Sequence, residues 1–231
     1  MLIICGRFVL YRILANIIEH FGVKEILYDI KPSYNIAPTH QIATVIRDKT
    51  VQLKGARWGM VAPFSDVSGG NKPLINARSE TLLEKRTFRK PFEKRRCLIP
   101  ADGYYEWRKE GMHKVPYYFQ LKSRELFSFA GLYEPWQSPS GNTVMTCAII
   151  TTEANELVQG VHDRMPAILT RESELEWLEG GQSLQDLQEL LHPYPAEEME
   201  TYEVSSAVNS FRNNSEECIK PVKRKTLLDY M

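Results

Sequence analysis

Six segments between residues 42 and 152 restrict the fold more than any other feature of the chain. IATVIRD (42–48), VQLKGARWGMV (51–61), RCLIPADGYYEW (96–107), PYYFQLK (116–122), LFSFAGLYE (126–134) and VMTCAIITT (144–152) are rich in β-branched and aromatic residues and are broken by turn residues. No regular helical pattern lies between them to serve as the crossovers of a parallel sheet, so a mainly antiparallel or mixed sheet, curled on itself, is expected. Helical spacing appears on either side. Leu10, Ile13, Leu14, Ile17 and Ile18 form one stripe in residues 10–21, with Gly22 as the C-cap. Further helices are expected at 153–160, 171–179, where Thr170 supplies the N-cap, and 183–191; ETYEVS (200–205) reads as a last strand. The class is α+β: a single domain over 1–231 with a curled β-sheet core flanked by helices, and an irregular tail at 215–231.

Composition narrows the setting. No apolar run approaches the roughly 18 residues of a membrane span, so no membrane partner is expected. Cys5, Cys97, Cys147 and Cys218 are far apart, with no CxxC pair and no His/Cys cluster. That spacing suggests neither zinc nor a disulfide framework, and fits a reducing cytoplasm. LIIC superficially resembles a lipoprotein box, but only four residues precede Cys5, where a signal needs an apolar stretch of roughly 7–15. Formal net charge is zero, yet residues 84–96 carry seven Lys/Arg against two Glu, while 171–203 carry ten Asp/Glu against Arg171 alone. The first stretch can face a polyanion and the second repels one, although either could be plain solvated surface.

Taken singly, the chemical candidates are ordinary. Cys5 has the surroundings of a small buried hydrophobe, Glu106 those of a solvent-facing strand residue, His162 those of a turn closed by Asp163, and Asn76 those of a turn or helix cap. Together they supply a thiol, a carboxyl group, an imidazole and an amide. That set suits nucleophilic or carbonyl-condensing chemistry.

CGRF (5–8), YNIAPT (34–39), RWGMVAP (57–63), INARSET (75–81), CLIPADGYYEW (97–107), GVHDRMPAIL (160–169) and VSSAVNSFRNN (204–214), the last followed by CIKPV, resemble seven blocks of the SRAP family in that family's order. These are SOS response-associated peptidase-like proteins that shield abasic sites. The resemblance implies a lyase-like crosslinking reaction with single-stranded DNA containing an abasic site. An N-terminal cysteine condenses with the aldehyde of the opened sugar and closes a thiazolidine, because its amine and thiol can add to one carbon. Carried over by motif, Cys5 is the nucleophile, Asn76 lies against the reacting group, and Glu106 and His162 form the acid/base pair. Arg7 and Arg78 would hold phosphates, Arg86 would extend that track, and Pro38 and Trp107 would stack on or wedge between bases. No metal or organic cofactor is implied, and a monomer is expected.

Two departures accompany the match. The segment after Trp58-Gly59 carries only Phe64 as an aromatic, so no base-stacking role is expected for it. In the family the cysteine is the second encoded residue, whereas here Leu2, which is not small, follows Met1. Ordinary methionine removal would therefore not expose Cys5. Either the start is assigned too early, or the protein cuts its own Ile4–Cys5 bond, or the leader persists and cripples the site; removal of residues 1–4 is the expectation. A thiol peptidase and a noncovalent single-strand-binding module remain the alternatives. Trp58 and Tyr34 are assigned to the core, as are Cys97, Cys147 and Cys218.

Overall fold

The computed structural model describes residues 6–61, 73–138 and 141–222. The β-branched and aromatic segments form strands, joined by shorter ones. In chain order they are β1 (Arg7–Leu10), β2 (Glu25–Ile26), β3 (Ser33–Ile36), β4 (Gln41–Arg47), β5 (Val51–Trp58), β6 (Asn76–Arg78) and β7 (Arg96–Ala101). There follow β8 (Gly103–Glu110), β9 (His113–Leu121), β10 (Phe127–Gln137), β11 (Thr143–Glu153), β12 (Arg164–Pro166), β13 (Ile168–Leu169) and β14 (Met199–Glu203). The helices are α1 (Leu14–Phe21), α2 (Arg86–Lys94), α3 (Glu156–Gln159), α4 (Arg171–Leu178) and α5 (Leu184–Glu189).

The strands make two sheets. One is antiparallel, in the order β14-β9-β8-β1-β3. The other runs β12-β11-β10-β7-β4-β5-β2 and curls until β11 pairs in parallel with β5, closing β11, β10, β7, β4 and β5 into a barrel-like ring. Aromatic side chains fill the space between the sheets. Phe8 meets Trp58 edge-on at 5.3 Å and Phe129 at 5.7 Å, while Tyr104 stacks on Phe119 at 5.1 Å. Each such buried ring contributes roughly 1.5–3 kcal/mol by leaving water.

RCLIPADGYYEW becomes two strands, not one, because the chain changes sheets at Asp102. The buried Asp102 carboxylate accepts the Tyr11 N–H at 2.7 Å, the Arg12 N–H at 3.2 Å and Arg12 Nε at 2.8 Å. Gly103 follows because Tyr118 crosses so near that a Cβ would lie 2.3 Å from its hydroxyl. The first helix starts at Leu14 instead of residue 10, since Phe8 and Leu10 pair with β3 and Arg7–Val9 with β8. Ile13, counted in the apolar stripe, is the N-cap and is 61% exposed. Gly22 ends this helix in the left-handed conformation at φ 62°, as expected of a C-cap. The Thr170 cap also holds, its Oγ1 accepting the Ser173 N–H at 3.3 Å. Several elements went unassigned from sequence, among them β2, β3, β12 and β13, and two of them bear on the candidate residues. The basic stretch folds as α2, burying Phe88 and Phe92 and leaving Arg86, Arg89 and Lys90 exposed; Asn76 opens a strand instead of capping a turn. Among the described residues no helix is long and apolar enough to cross a membrane.

Candidate functional site

Strands β1 and β8 set up two chemically different faces. Their register pairs Arg7 with Tyr105 and Phe8 with Tyr104. Side chains alternate across a strand, so Glu106 shares the inner face with Tyr104 and Phe8, while Arg7, Tyr105 and Trp107 share the outer one. Glu106 is 2% exposed, contrary to the solvent-facing position expected for a lone strand glutamate. It follows Tyr105, the cross-strand partner of Arg7, and Arg7 stands two residues after Cys5 in the chain. Cys5 itself, with the leader 1–4 and the Phe64 segment, lies outside the described residues.

The outer face is tied to residues 206–214. Arg7 Nη1 donates to Asn35 Oδ1 and to the Val208 carbonyl, each at 2.8 Å, and Nη2 donates to the Asn209 carbonyl at 3.1 Å. Three of its five N–H groups are thus spent inside the protein, and burial lowers its pKa from the ordinary arginine value. Asn35 completes the clamp, its Nδ2 donating to the carbonyls of Val208, Ser210 and Asn213 at 3.0, 3.0 and 2.8 Å. Trp107 Nε1 donates to Asn209 Oδ1 at 2.7 Å, and its ring lies 6.0 Å from the Arg7 guanidinium carbon. The buried Tyr105 hydroxyl donates to the Tyr34 carbonyl at 2.7 Å, and desolvation pushes its pKa up.

Pro38 sits on a turn beside this clamp. The His40 N–H donates to the Ala37 carbonyl at 3.2 Å, and Thr39 has φ 76°. Proline at the second position and a positive φ at the third are the pattern of a type II turn. A β-branched residue is strained there. Two bonds to the end of β5 hold the strained turn: Thr39 N–H to the Trp58 carbonyl at 2.8 Å, and Trp58 N–H to the His40 carbonyl at 2.9 Å.

Asn76, Arg78 and His162 belong to a third group, assembled along β11. Ile149 lies opposite Asn76 and Thr151 opposite Arg78 in the parallel β6 pairing, while Thr151 and Glu153 face Pro166 and Arg164 of β12 on the other side. Arg164 latches this group, reaching both Glu80 carboxylate oxygens and donating to the Thr151 carbonyl at 2.7 Å. His162 Nδ1 accepts the Arg164 N–H at 3.1 Å and stands 2.9 Å from Asp163 Oδ1. With Nδ1 accepting from Arg164, the ring's proton is on Nε2. The local Asp163 contact expected for an ordinary histidine is therefore present. Trp58 joins the group to the inner face, donating from Nε1 to the Ile75 carbonyl at 2.9 Å while packing on Phe8. Arg78 is exposed, and the chain runs from it through a 3-10 turn to the exposed Arg86 at the start of α2.

Sequence reading missed Asn35, Glu80 and Arg164. Asn35 left one legible sign, a polar side chain in an apolar strand segment; Glu80 and Arg164 left none, since a partner 84 residues away is invisible in sequence. Trp58, Cys97, Cys147 and Cys218 are buried as expected, and Tyr34 is half-buried, stacked on Tyr11 at 5.6 Å. Among the described residues no group of three or more His, Cys, Asp or Glu is arranged to hold a metal ion.

Comparison with known proteins agrees with this architecture. The abasic site processing protein YoqW of Bacillus subtilis is 49% identical over 221 residues, covering 94% of this chain and 99% of its own. The abasic site processing protein HMCES of Xenopus tropicalis is 31% identical over 83% of this chain and 67% of its own. A crystal structure of a protein from Bacteroides thetaiotaomicron superposes with a TM-score of 0.87 at 28% identity, over 94% of this chain and all of that one. The family model described as SOS response associated peptidase (SRAP) matches residues 4–211. With more than half its length matched in this way, the chain belongs to the SRAP family.

Proposed function

We propose that this protein processes abasic sites in single-stranded DNA by forming a covalent link through Cys5. The reading requires removal of residues 1–4, because only a free α-amine beside the thiol can take part twice at one carbon. The amine condenses with the sugar aldehyde and releases water, leaving a Schiff base; the thiol then adds to the same carbon and closes a thiazolidine. Ring closure is intramolecular, so its entropy cost is already met.

The observation that carries the reading is the placement of Glu106. A carboxyl group 2% exposed, one residue beyond Tyr105, the partner of Arg7 on the strand that leads out of Cys5, is suited to moving protons at the amine. His162 would promote opening of the sugar, with Nε2 as the working nitrogen while Nδ1 accepts from Arg164. Asn76 would lie against the reacting group, and Arg78 and Arg86 would hold phosphates along the edge from β6 to α2. Arg7 contributes by fixing residues 208–209 under Trp107, so its part in phosphate binding is secondary to that clamp. The names of the bacterial and vertebrate relatives support the same substrate class.

The test uses protein whose N-terminus is verified as Cys5 by intact mass. Incubated with a single-stranded oligonucleotide containing one abasic site, it should give a heat-stable, slower-migrating adduct that Cys5→Ala abolishes; no adduct overturns the proposal. The peptidase in the description of the matching family model favours a second activity of the same site, cleavage of the Ile4–Cys5 bond by the protein itself. The full-length chain should then lose residues 1–4 on standing, and Glu106→Gln should lose them more slowly.

A further inference from the structure

Phe211 is a large apolar side chain 53% exposed to solvent. Its backbone is not free to fold it away. The surrounding residues are held by Arg7 and by the three Asn35 bonds, and Asn213 Nδ2 ties back to the Ala207 carbonyl at 2.8 Å. The ring is therefore displayed by a rigid loop. Among the described residues its ring meets His40, edge-on at 6.1 Å and 80°, on the same strained turn as Pro38. His40 is half-buried, and burial together with the nearby Arg7 charge lowers its pKa, which favours the neutral imidazole at the edge contact with Phe211. Arg212, exposed, follows Phe211 in the chain. An exposed aromatic face next to a cation is the pairing that surfaces for unpaired nucleic acid use, with base on ring and phosphate on guanidinium.

We propose that Phe211, backed by His40, is the stacking platform for an unpaired nucleobase adjacent to the abasic sugar. The inference rests on the DNA reading above and adds a subsite to it. Stacking is sequence-tolerant but grows with ring area, so the platform favours a purine over a pyrimidine at that position.

The experiment compares binding of single-stranded oligonucleotides that carry one tetrahydrofuran abasic analogue, which cannot be crosslinked. One series keeps the neighbouring bases; the others replace the base on the 5′ or the 3′ side by a second tetrahydrofuran. Wild type should lose about tenfold in affinity when the stacked base is removed from one side. Phe211→Ala should bind both members of that pair equally, and Phe211→Trp should restore the preference. A Phe211→Ala protein that retains the wild-type base preference, or loses affinity equally for every oligonucleotide, overturns the platform; the first of these results would leave Phe211 as a contact for a protein. Adduct formation by wild type on a true abasic site is measured in parallel. An adduct without any Phe211-dependent preference sinks the platform alone, whereas absence of both adduct and binding sinks the parent reading with it.

Discussion

On the inner face of β8, Tyr104 stacks on Phe119 and Glu106 is almost wholly buried; on the outer face, Tyr105, Trp107 and the neighbouring Arg7 spend their polar atoms on the backbone and side chains of other segments. Two consecutive residues, Glu106 and Trp107, thus have different kinds of work. A carboxyl group buried on the face that carries Phe8 and Tyr104 is a candidate for chemistry. Donors matched one by one to carbonyls stabilise and position, and here they hold residues 206–214 against β1 and β8. The difference separates residues that would change rates from residues that would change stability.

The largest expected effect lies on the inner face. Glu106→Gln should slow adduct formation by about 100-fold or more while leaving single-strand affinity within about twofold; an equal loss of both would show that the two faces do not divide the labour. On the outer face the order reverses. Asn35→Ala removes a 1% exposed amide whose two N–H groups are shared among three carbonyls, and should cost about 2–4 kcal/mol in urea unfolding. It should also speed proteolysis near residues 206–214, with a smaller change in adduct rate at saturating DNA than Glu106→Gln. Trp107→Phe keeps an aromatic side chain but loses the indole N–H bond to Asn209, and that bond is worth about 1 kcal/mol.

The smallest effect concerns the Arg164–Glu80 latch. Burial raises the Glu80 pKa, but hydrogen bonds, chiefly from Arg164, outweigh it and leave the carboxyl below its ordinary 4.5. A lowered carboxyl pKa stabilises the fold above the unfolded value, and that stability is lost as pH falls through the folded value. Melting temperature followed from about pH 6 to 3 should therefore fall less steeply in Glu80→Gln than in wild type. Identical slopes would mean the latch adds nothing measurable.

The sequence by itself determined the β-rich α+β class, the strands of the middle third, the caps at Gly22 and Thr170, and the short list of chemical residues, because apolar periodicity, turn chemistry and motif order are local signals. Tertiary structure decided the rest. Whether the sheet closed depended on β11 meeting β5, and whether Leu10 ended a strand instead of opening a helix depended on its partner in β3. Only the fold turned Glu106 inward and showed that Arg7 and Asn35 grip a segment more than 170 residues away, since burial and long-range hydrogen bonds are properties of neighbours in space.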